Sequence, residues 1–154
     1  NKYQYITWAK SVPGVGEAKC IPLWNGPGTV KVVIVDADNQ VAPIELIQKV
    51  QKFIDDVKPI GATLTVSTAE EITINISCKV DMSADVKNEI EKSIVEYLSD
   101  VSFTNGYVSY AKIGQAILDV NGVNDYTDLT VNGDNKNIPI ADTQLAVLGV
   151  VDYD

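Results

Sequence analysis

The segment from Ile72 to Met82 constrains the fold most, because its side chains alternate between apolar and polar over eleven residues. A period of two is typical of a β-strand with one buried and one solvated face, an arrangement common in antiparallel sheets. The apolar positions are Ile72, Ile74, Ile76, Cys78 and Val80. The chain must therefore contain a sheet that packs one face against a core.

Other segments show the helical spacing of apolar residues, and four helices are predicted. They begin near Tyr5, after Pro43, near Ser83 as a cap, and after Ser109. For the helix that Pro43 opens, the predicted buried stripe is Ile44, Ile47, Val50, Ile54 and Val57.

Further strands are predicted on both sides of these helices. Glu17–Trp24 and Thr29–Asp36 are joined by Asn25-Gly26-Pro27-Gly28, a hairpin turn sequence. The unbroken apolar run at 32–35 indicates a central strand that is covered on both faces. The remaining strands are Thr63–Ser67, Val123–Val131 and Leu145–Asp152. The expected fold class is α+β, with a mixed, largely antiparallel sheet or sheets and about three to four helices packed on them.

A short sequence pattern that occurs twice, called the internal echo below, suggests two similar small lobes. Val12–Glu17 and Val120–Asp125 share the pattern V-x-G-V-x-acid, and each stands between a predicted helix and a predicted strand. Duplication and independent use of one helix–turn–strand unit explain this echo about equally well. The 154 residues are treated as one region, with sub-lobes expected at 1–60 plus 101–154 and at 61–100.

The charged residues exclude several function classes. All 12 basic residues are Lys, with no Arg and no His, and 21 acidic residues bring the net charge to −9 and the pI to about 4.4. Nucleic-acid and anionic-membrane binding both rely on basic clusters, which this chain lacks. Without His the chain lacks the commonest general base, and without Arg it lacks the side chain that binds phosphate through two hydrogen bonds. No apolar run approaches the length of a membrane span.

No group of residues makes a convincing catalytic, cofactor or metal site. Cys20 and Cys78 have no zinc-site spacing and are expected to be buried free thiols. Asp36-Ala37-Asp38-Asn39 starts like an EF-hand loop but lacks its Gly and Glu, so a strand-to-helix turn is expected. A second acidic group comprises Asp125, Asp128, Asp134 and Asn137. Oxygen ligands of this kind suit weak Ca²⁺ binding, and solvated surface charge is the favoured interpretation.

One long stretch carries a resemblance to a known family. Residues 12–32 read V-P-G-V-G-E-A-K-C-I-P-L-W-N-G-P-G-T-V-K-V, and Lys58–Ala62 and Leu148–Val151 add K-P-I-G-A and L-G-V-V. This chain resembles the baseplate J-like proteins of contractile phage tails and related prophages, over essentially its whole length. It begins at Asn1 and has Met82 as its single methionine, so we expect the C-terminal portion of such a protein.

The resemblance implies a structural, non-enzymatic component of the tail baseplate. Its expected location is the virion, after synthesis in the bacterial cytoplasm. Its expected partners are other baseplate proteins and copies of itself in a ring, with no nucleic acid, membrane, small-molecule substrate, cofactor or metal. Aromatic residues are enriched at interfaces, and an edge strand at the C-terminus invites strand addition. The candidate interface residues are Trp24, Tyr126, Leu148, Val150 and Tyr153.

Two other functions stay open at this stage. A carbohydrate- or partner-binding module of a tail tip would show an exposed aromatic platform beside a groove. A carboxylate-dependent glycosidase would need two acids that converge in a cleft. Asp55-Asp56 and Glu70-Glu71 do not meet that need, because successive side chains point to different faces.

Overall fold

Residues Asn1–Glu70 and Glu71–Asp154 form the first and second units of the computed structural model, which describes all 154 residues. The first unit contains α1 (Lys2–Ser11), β1 (Val15–Pro22), β2 (Thr29–Asp36), α2 (Ile44–Val57) and β3 (Thr63–Thr68). The second contains β4 (Glu70–Met82), α3 (Lys87–Val101), β5 (Gly106–Val108), α4 (Tyr110–Leu118), β6 (Val123–Val131), β7 (Ile138–Ile140) and β8 (Gln144–Asp152). None of the helices has the length and apolarity needed to cross a bilayer.

The first unit is a three-stranded sheet in the order β1-β2-β3. The hairpin turn that the sequence predicted joins β1 and β2, which pair antiparallel from Ala18↔Ile34 to Pro22↔Val30. α2 then forms the crossover that lets β3 run parallel to β2. The central position of β2 is confirmed, since Val32–Val35 are all buried.

The predicted buried stripe of α2 is wrong at its two ends. Leu46, Val50 and Ile54 are the buried residues, whereas Ile44 and Val57 are exposed. At 100° per residue, Ile44 lies about 160° from Leu46 around the helix axis, on the opposite face. Val57 lies in the last turn, where the helix ends.

The second unit contains a three-stranded sheet in the order β6-β4-β8 and a small pair, β5-β7. The alternation predicted for β4 is confirmed, because Ile74, Ile76 and Cys78 are buried. Their core partners come from α3 and α4 and include Ile90, Ile94, Leu98, Ile113 and Ile117. The two short strands, β5 and β7, were not predicted from the sequence.

The predicted start of a helix at Ser109 is confirmed, and the predicted cap at Ser83 is wrong. Ser109 caps α4, accepting a hydrogen bond from Lys112 N–H at 3.1 Å. Ser83 does not begin α3, which starts four residues later at Lys87. Its backbone N–H donates to Gly122 O instead, at 2.8 Å, and its hydroxyl lies 3.1 Å from Asn124 Nδ2.

The fold class is confirmed: four helices pack on mixed, mostly antiparallel sheets. The unit boundary at Glu70–Glu71 differs from the sub-lobes expected at 1–60 plus 101–154 and at 61–100. The sub-lobe expected at 61–100 placed β3 and β4 together. In the structure β3 pairs with β2, and β4 is the central strand of the other sheet.

Candidate interaction surfaces

Trp24 lies in the β1–β2 turn at one end of the first unit. It is 41% exposed, and Lys31 Nζ stands 5.0 Å from the centroid of its ring. Leu23, beside it, is 66% exposed and adopts a positive φ of 59°, which is uncommon for a residue that is not glycine. Two exposed apolar side chains therefore project from this turn, and the Lys31 cation of β2 lies beside one of them.

The loop between α2 and β3 lies beside the same turn. Thr63 N–H donates to Gly28 O at 2.8 Å, which places the start of β3 next to the end of the turn. In this loop Ile60 is fully exposed, and Ile21 at the end of β1 is also exposed. We name the exposed apolar residues Ile21, Leu23, Trp24 and Ile60, together with Lys31, the hairpin tip.

Both lysines and acids surround the hairpin tip. The segments 18–35 and 57–69 hold Lys19, Lys31 and Lys58 and no Asp or Glu. Lys58 lies 3.9 Å from Asp55, at the end of α2. Asp36, Asp38 and Glu45 instead line a groove with Gly14 and Pro43, away from the β1–β2 turn. The hairpin tip therefore carries charges of both signs, because Asp55 and Asp56 lie in the last turn of α2, just before the loop that contains Ile60.

The exposed edge of β3 is partly occupied by a side chain. Gln51 Nε2 donates to Leu64 O at 3.1 Å, and Gln51 Oε1 accepts from Val66 N–H at 2.9 Å. One residue of a parallel neighbouring strand would make the same two bonds. Gln51 thus takes the place of a strand residue and blocks strand addition at this point.

Tyr126 lies on β6 and is half-buried in the second unit. Its hydroxyl packs over Gly114 of α4, where any side chain would collide with it. Burial is the largest cause of its raised pKa, followed by the nearby Tyr110. Both tyrosines line an open groove of about 750 Å³ that Asp128 and Asp134 also border.

Tyr153 lies against α3 near the end of the chain. Its hydroxyl donates to Lys87 O at 3.3 Å, and Lys87 Nζ stands 5.4 Å from the ring centroid. Burial, with a smaller contribution from Glu91, raises the pKa of Tyr153 to about 12. The ring therefore holds the end of the chain on α3.

The other two candidates, Leu148 and Val150, lie on the edge strand β8. Leu148 packs partly against the core of the second unit, whereas Val150 is 68% exposed. The backbone N–H of Val150 is not available to a partner, because it donates to Asn75 Oδ1 at 2.9 Å. Of the two, Val150 alone offers an exposed side chain.

The first half of β8 is also engaged within the unit. Ala146 N–H donates to the buried hydroxyl of Ser102 at 2.8 Å, and that hydroxyl donates to Leu98 O at 2.7 Å. Phe103 N–H donates to Gln144 O at 2.7 Å. Strand addition along all of β8 would require these bonds to break.

The candidate chemical groups do not converge. No group of three or more His, Cys, Asp or Glu side chains could hold a metal ion. Asp128 lies 3.6 Å from Lys79, whereas Asn137 accepts from Tyr110 N–H. The prediction that Asp36 lies in a turn is confirmed, since its Oδ1 accepts from the N–H groups of Asp38 and Gln40.

The two cysteines are buried free thiols, as predicted. Burial raises the pKa of both Cys20 and Cys78. A raised pKa lowers the thiolate fraction, and the thiolate is the reactive species. Both side chains therefore act as small core residues.

The charge of the chain divides unevenly between the two units. The first holds seven Lys and seven acidic residues, and the second holds five Lys and fourteen acidic residues. The whole net charge of −9 therefore belongs to the second unit. The second unit is therefore complementary in charge to a basic surface of a partner.

Three residues that shape these surfaces were not predicted from the sequence. Ile60 follows Pro59 at a predicted helix end, where an apolar residue is not expected to reach the core. Its exposure could therefore have been predicted from the sequence. Leu23 reads as an ordinary strand residue and gave no signal of its positive φ. Gln51 gave none either, because its partners on β3 are more than ten positions away.

Comparisons with known proteins cover the whole chain. Two adjacent family models match: "Baseplate J-like central domain" at residues 1–68 and "Baseplate J-like protein C-terminal domain" at residues 71–154. These matches agree with the division into units at Glu70–Glu71.

Individual relatives include phage and prophage proteins. The chain is 36% identical to "Phage-like element PBSX protein XkdT" of Bacillus subtilis (strain 168) over 163 residues, which cover 98% of this chain and 47% of the relative. It is 27% identical to "Baseplate protein gp47" of Escherichia phage Mu over 139 residues, which cover 82% of this chain and 39% of that protein. The chain thus spans about half the length of the Bacillus relative.

A solved structure shares the fold. A chain in the cryo-EM structure of the anti-feeding prophage baseplate, 6-fold symmetrised, matches with a TM-score of 0.60. The match covers 97% of this chain and 36% of the other, with 7% sequence identity. At this identity the likeness establishes the fold and nothing further.

Proposed function

We propose, because the chain belongs to the baseplate J-like family, that it is a structural part of the tail baseplate of a contractile phage or prophage. The single observation that carries this proposal is that two adjacent family domains match along the chain. Their boundary coincides with the boundary between the two structural units. The protein resides in the virion after synthesis in the bacterial cytoplasm.

The protein works through contacts with other proteins and performs no catalysis. Its partners are other baseplate components and further copies of itself, arranged in a ring. The dispersed acids and the inert thiols support this role, since a structural part needs surfaces and no reactive group. The acidic second unit disfavours contact with nucleic acid and with anionic membranes.

A binding module for carbohydrate is the weaker alternative. Trp24 is its strongest support, because sugars stack on exposed aromatic rings. Lys31 Nζ already stands 5.0 Å from the centroid of that ring, and the groove beside Tyr110 and Tyr126 belongs to the other unit. Tyr110 and Tyr126 in that groove are half-buried, so neither offers a fully exposed ring for a sugar.

Mass spectrometry of purified contractile tails tests the proposal. Tails are isolated on a density gradient after prophage induction, and the uninduced culture provides the control. We expect peptides of this chain at a copy number per tail that is a multiple of six, the symmetry of the anti-feeding prophage baseplate. Absence of these peptides from intact tails would remove the structural role and leave an assembly factor or a binding module.

A further inference from the structure

Four asparagines of the chain are followed directly by glycine: Asn25, Asn105, Asn121 and Asn132. Such a pair can react without an enzyme, because glycine has no Cβ to hinder the approach of its backbone nitrogen to the asparagine side chain. Asparagine is thermolabile in proteins for this reason. The reaction needs a side chain that can turn and a glycine nitrogen that is not engaged elsewhere, so the fold decides which of the four pairs reacts.

Asn132 is the most firmly held of the four. Its Nδ2 donates to Thr73 O at 3.1 Å, and its Oδ1 accepts from Asn75 N–H at 2.7 Å. Its backbone N–H donates to Asn75 O at 2.8 Å, so the residue extends the pairing of β6 with β4 beyond Val131. The side chain cannot turn toward the nitrogen of Gly133 until both of its bonds break.

Asn25 and Asn105 are exposed, but the glycine that follows each of them is restrained. Gly26 N–H donates to Leu23 O at 3.2 Å, so the nitrogen that would attack the side chain of Asn25 is engaged in the β1–β2 turn. Gly106 begins β5, which pairs with β7. Attack at either position therefore requires the turn or the strand pair to open.

Asn121 has neither restraint. It lies in the exposed turn between α4 and β6, and its side-chain amide makes no hydrogen bond with the rest of the chain. Val123 N–H donates to Val120 O at 3.1 Å, and this bond closes the turn across Asn121 and Gly122. The N–H of Gly122 has no acceptor, because the bond that Gly122 makes with Ser83 goes to its carbonyl oxygen. Both reacting groups are therefore available in the folded chain.

We propose that Asn121 is a site at which the folded chain modifies itself by deamidation. The backbone nitrogen of Gly122 gives up its proton to solvent and attacks Cγ of Asn121, which closes a five-membered succinimide ring. The Cγ–Nδ2 bond breaks, and Nδ2 takes up a proton and leaves as ammonia. Water then opens the ring at one of its two carbonyls and gives either aspartate or isoaspartate. No electrons are transferred, and the proposal is independent of the proposed function.

The products change the second unit in charge and in backbone length. Either product adds one carboxylate, which takes the net charge of the chain from −9 to −10. Isoaspartate also adds one methylene to the backbone between α4 and β6. At this point Ser83 N–H donates to Gly122 O, and Val123 pairs with Met82. The isoaspartate product should therefore loosen the start of β6.

Peptide mapping by mass spectrometry tests the proposal on the whole folded chain, incubated at neutral pH. Deamidation adds about 1 Da, and electron-transfer fragmentation distinguishes isoaspartate from aspartate. We expect Asn121 to react at least about tenfold faster than Asn132, with Asn25 and Asn105 between them. In urea the four rates should agree within about threefold, because the restraints of the fold are then absent.

Two variants of Asn121 separate the causes. Asn121→Pro is the matched control, because Pro13 holds the corresponding place in the Val12–Val15 turn, which closes with the same bond. Asn121→Asp supplies the charge without the added methylene. Exchange of the Val123 amide should accelerate at least about fivefold in the aged unaltered chain, and by less than about twofold in aged Asn121→Pro and in fresh Asn121→Asp.

Each outcome supports or overturns the inference. Equal rates at Asn121 and Asn132 in the folded chain, or a faster reaction at Asn25 or Asn105, would overturn it. Rates that keep the same order and spacing in urea would also overturn it, since local sequence and not the fold would then set them. Absence of the protein from purified tails would remove the proposed function and leave these rates unaffected.

Discussion

Replacement of Gln51 by Leu should destabilise the first unit by opening the edge of β3. The side-chain amide makes two bonds to the strand, one to Leu64 O at 3.1 Å and one from Val66 N–H at 2.9 Å. Leu has nearly the same size and helix propensity but can make neither bond. The substitution therefore isolates the polar contacts from packing and from helix stability.

The expected cost follows from the number and burial of the bonds. A net intramolecular hydrogen bond contributes about 0.5–1.5 kcal/mol, so two bonds contribute about 1–3 kcal/mol. Both are part-buried, and the third bond of Gln51, to Asp55 at 3.0 Å, is exposed and contributes little. The strand backbone regains some bonds to water in the variant. We expect a loss of about 1.5–2 kcal/mol in the free energy of unfolding.

The assay uses the distribution of tryptophan in the chain. Trp8 and Trp24 are the two tryptophans, and both lie in the first unit, so fluorescence during urea unfolding reports on that unit. Gln48→Leu is the matched control, because Gln48 is an exposed residue of the same helix. Its effect should remain below about 0.5 kcal/mol. Hydrogen exchange of the Val66 amide gives a second, local measurement.

The exchange rate of the Val66 amide is the most direct measure of the bond to Gln51. In Gln51→Leu its exchange should accelerate by at least about tenfold, while buried amides of β2 change only by the global loss of stability. If Gln51→Leu unfolds at the same urea concentration as Gln48→Leu and Val66 keeps its protection, Gln51 does not act as a strand residue. The proposed blocking of the β3 edge would then be wrong.

Three further predictions concern the second unit. Ser109→Ala should lower its stability by about 1 kcal/mol, because the α4 cap is lost. Ser83→Ala is the control, because Ser83 caps no helix, and it should cost less than about 0.5 kcal/mol. Thermal unfolding followed by circular dichroism measures both. Ser102→Ala should cost about 1–3 kcal/mol in the same assay, because it leaves the buried Ala146 N–H without its acceptor. The pKa of Tyr153 is raised to about 12, so its contribution to stability is complete below pH 10 and is lost as the pH rises toward 12. Ultraviolet titration should show that Tyr153→Phe removes one late-ionising tyrosine, and an unchanged titration curve would refute this assignment.

The sequence predicted those elements whose signals are local. Three predicted features depend on residues within a few positions of one another, and all three are present in the structure: the alternation of β4, the Asn25–Gly28 turn and the start of α4 at Ser109. Ser83 failed as a cap because Gly122 and Asn124, far along the chain, bind its backbone and side chain. Non-local partners of this kind leave no periodic trace in a single sequence.

The surfaces were predictable only in part, for the same reason. Trp24 and Val150 are exposed, as interface residues must be, but Tyr153 holds the chain end on α3 and Tyr126 packs over Gly114. Aromatic type alone does not separate these cases, since Tyr suits both a core and an interface. Ile60 is recognisable in retrospect, because an isoleucine between Pro59 and Gly61 stands where no regular element can bury it.

The internal echo turns out to be local in extent. Val15 N–H donates to Val12 O at 3.2 Å, and Val123 N–H donates to Val120 O at 3.1 Å, so both segments make the same tight turn. Gly14 and Gly122 occupy its third position with φ of 102° and 99°, a region that favours glycine. Beyond the turns the units diverge, because β1 pairs with the strand that follows it and β6 pairs with β4, which precedes it. The shared V-x-G-V pattern therefore specifies the geometry by which a helix passes into a strand, and turn chemistry alone is sufficient to explain it.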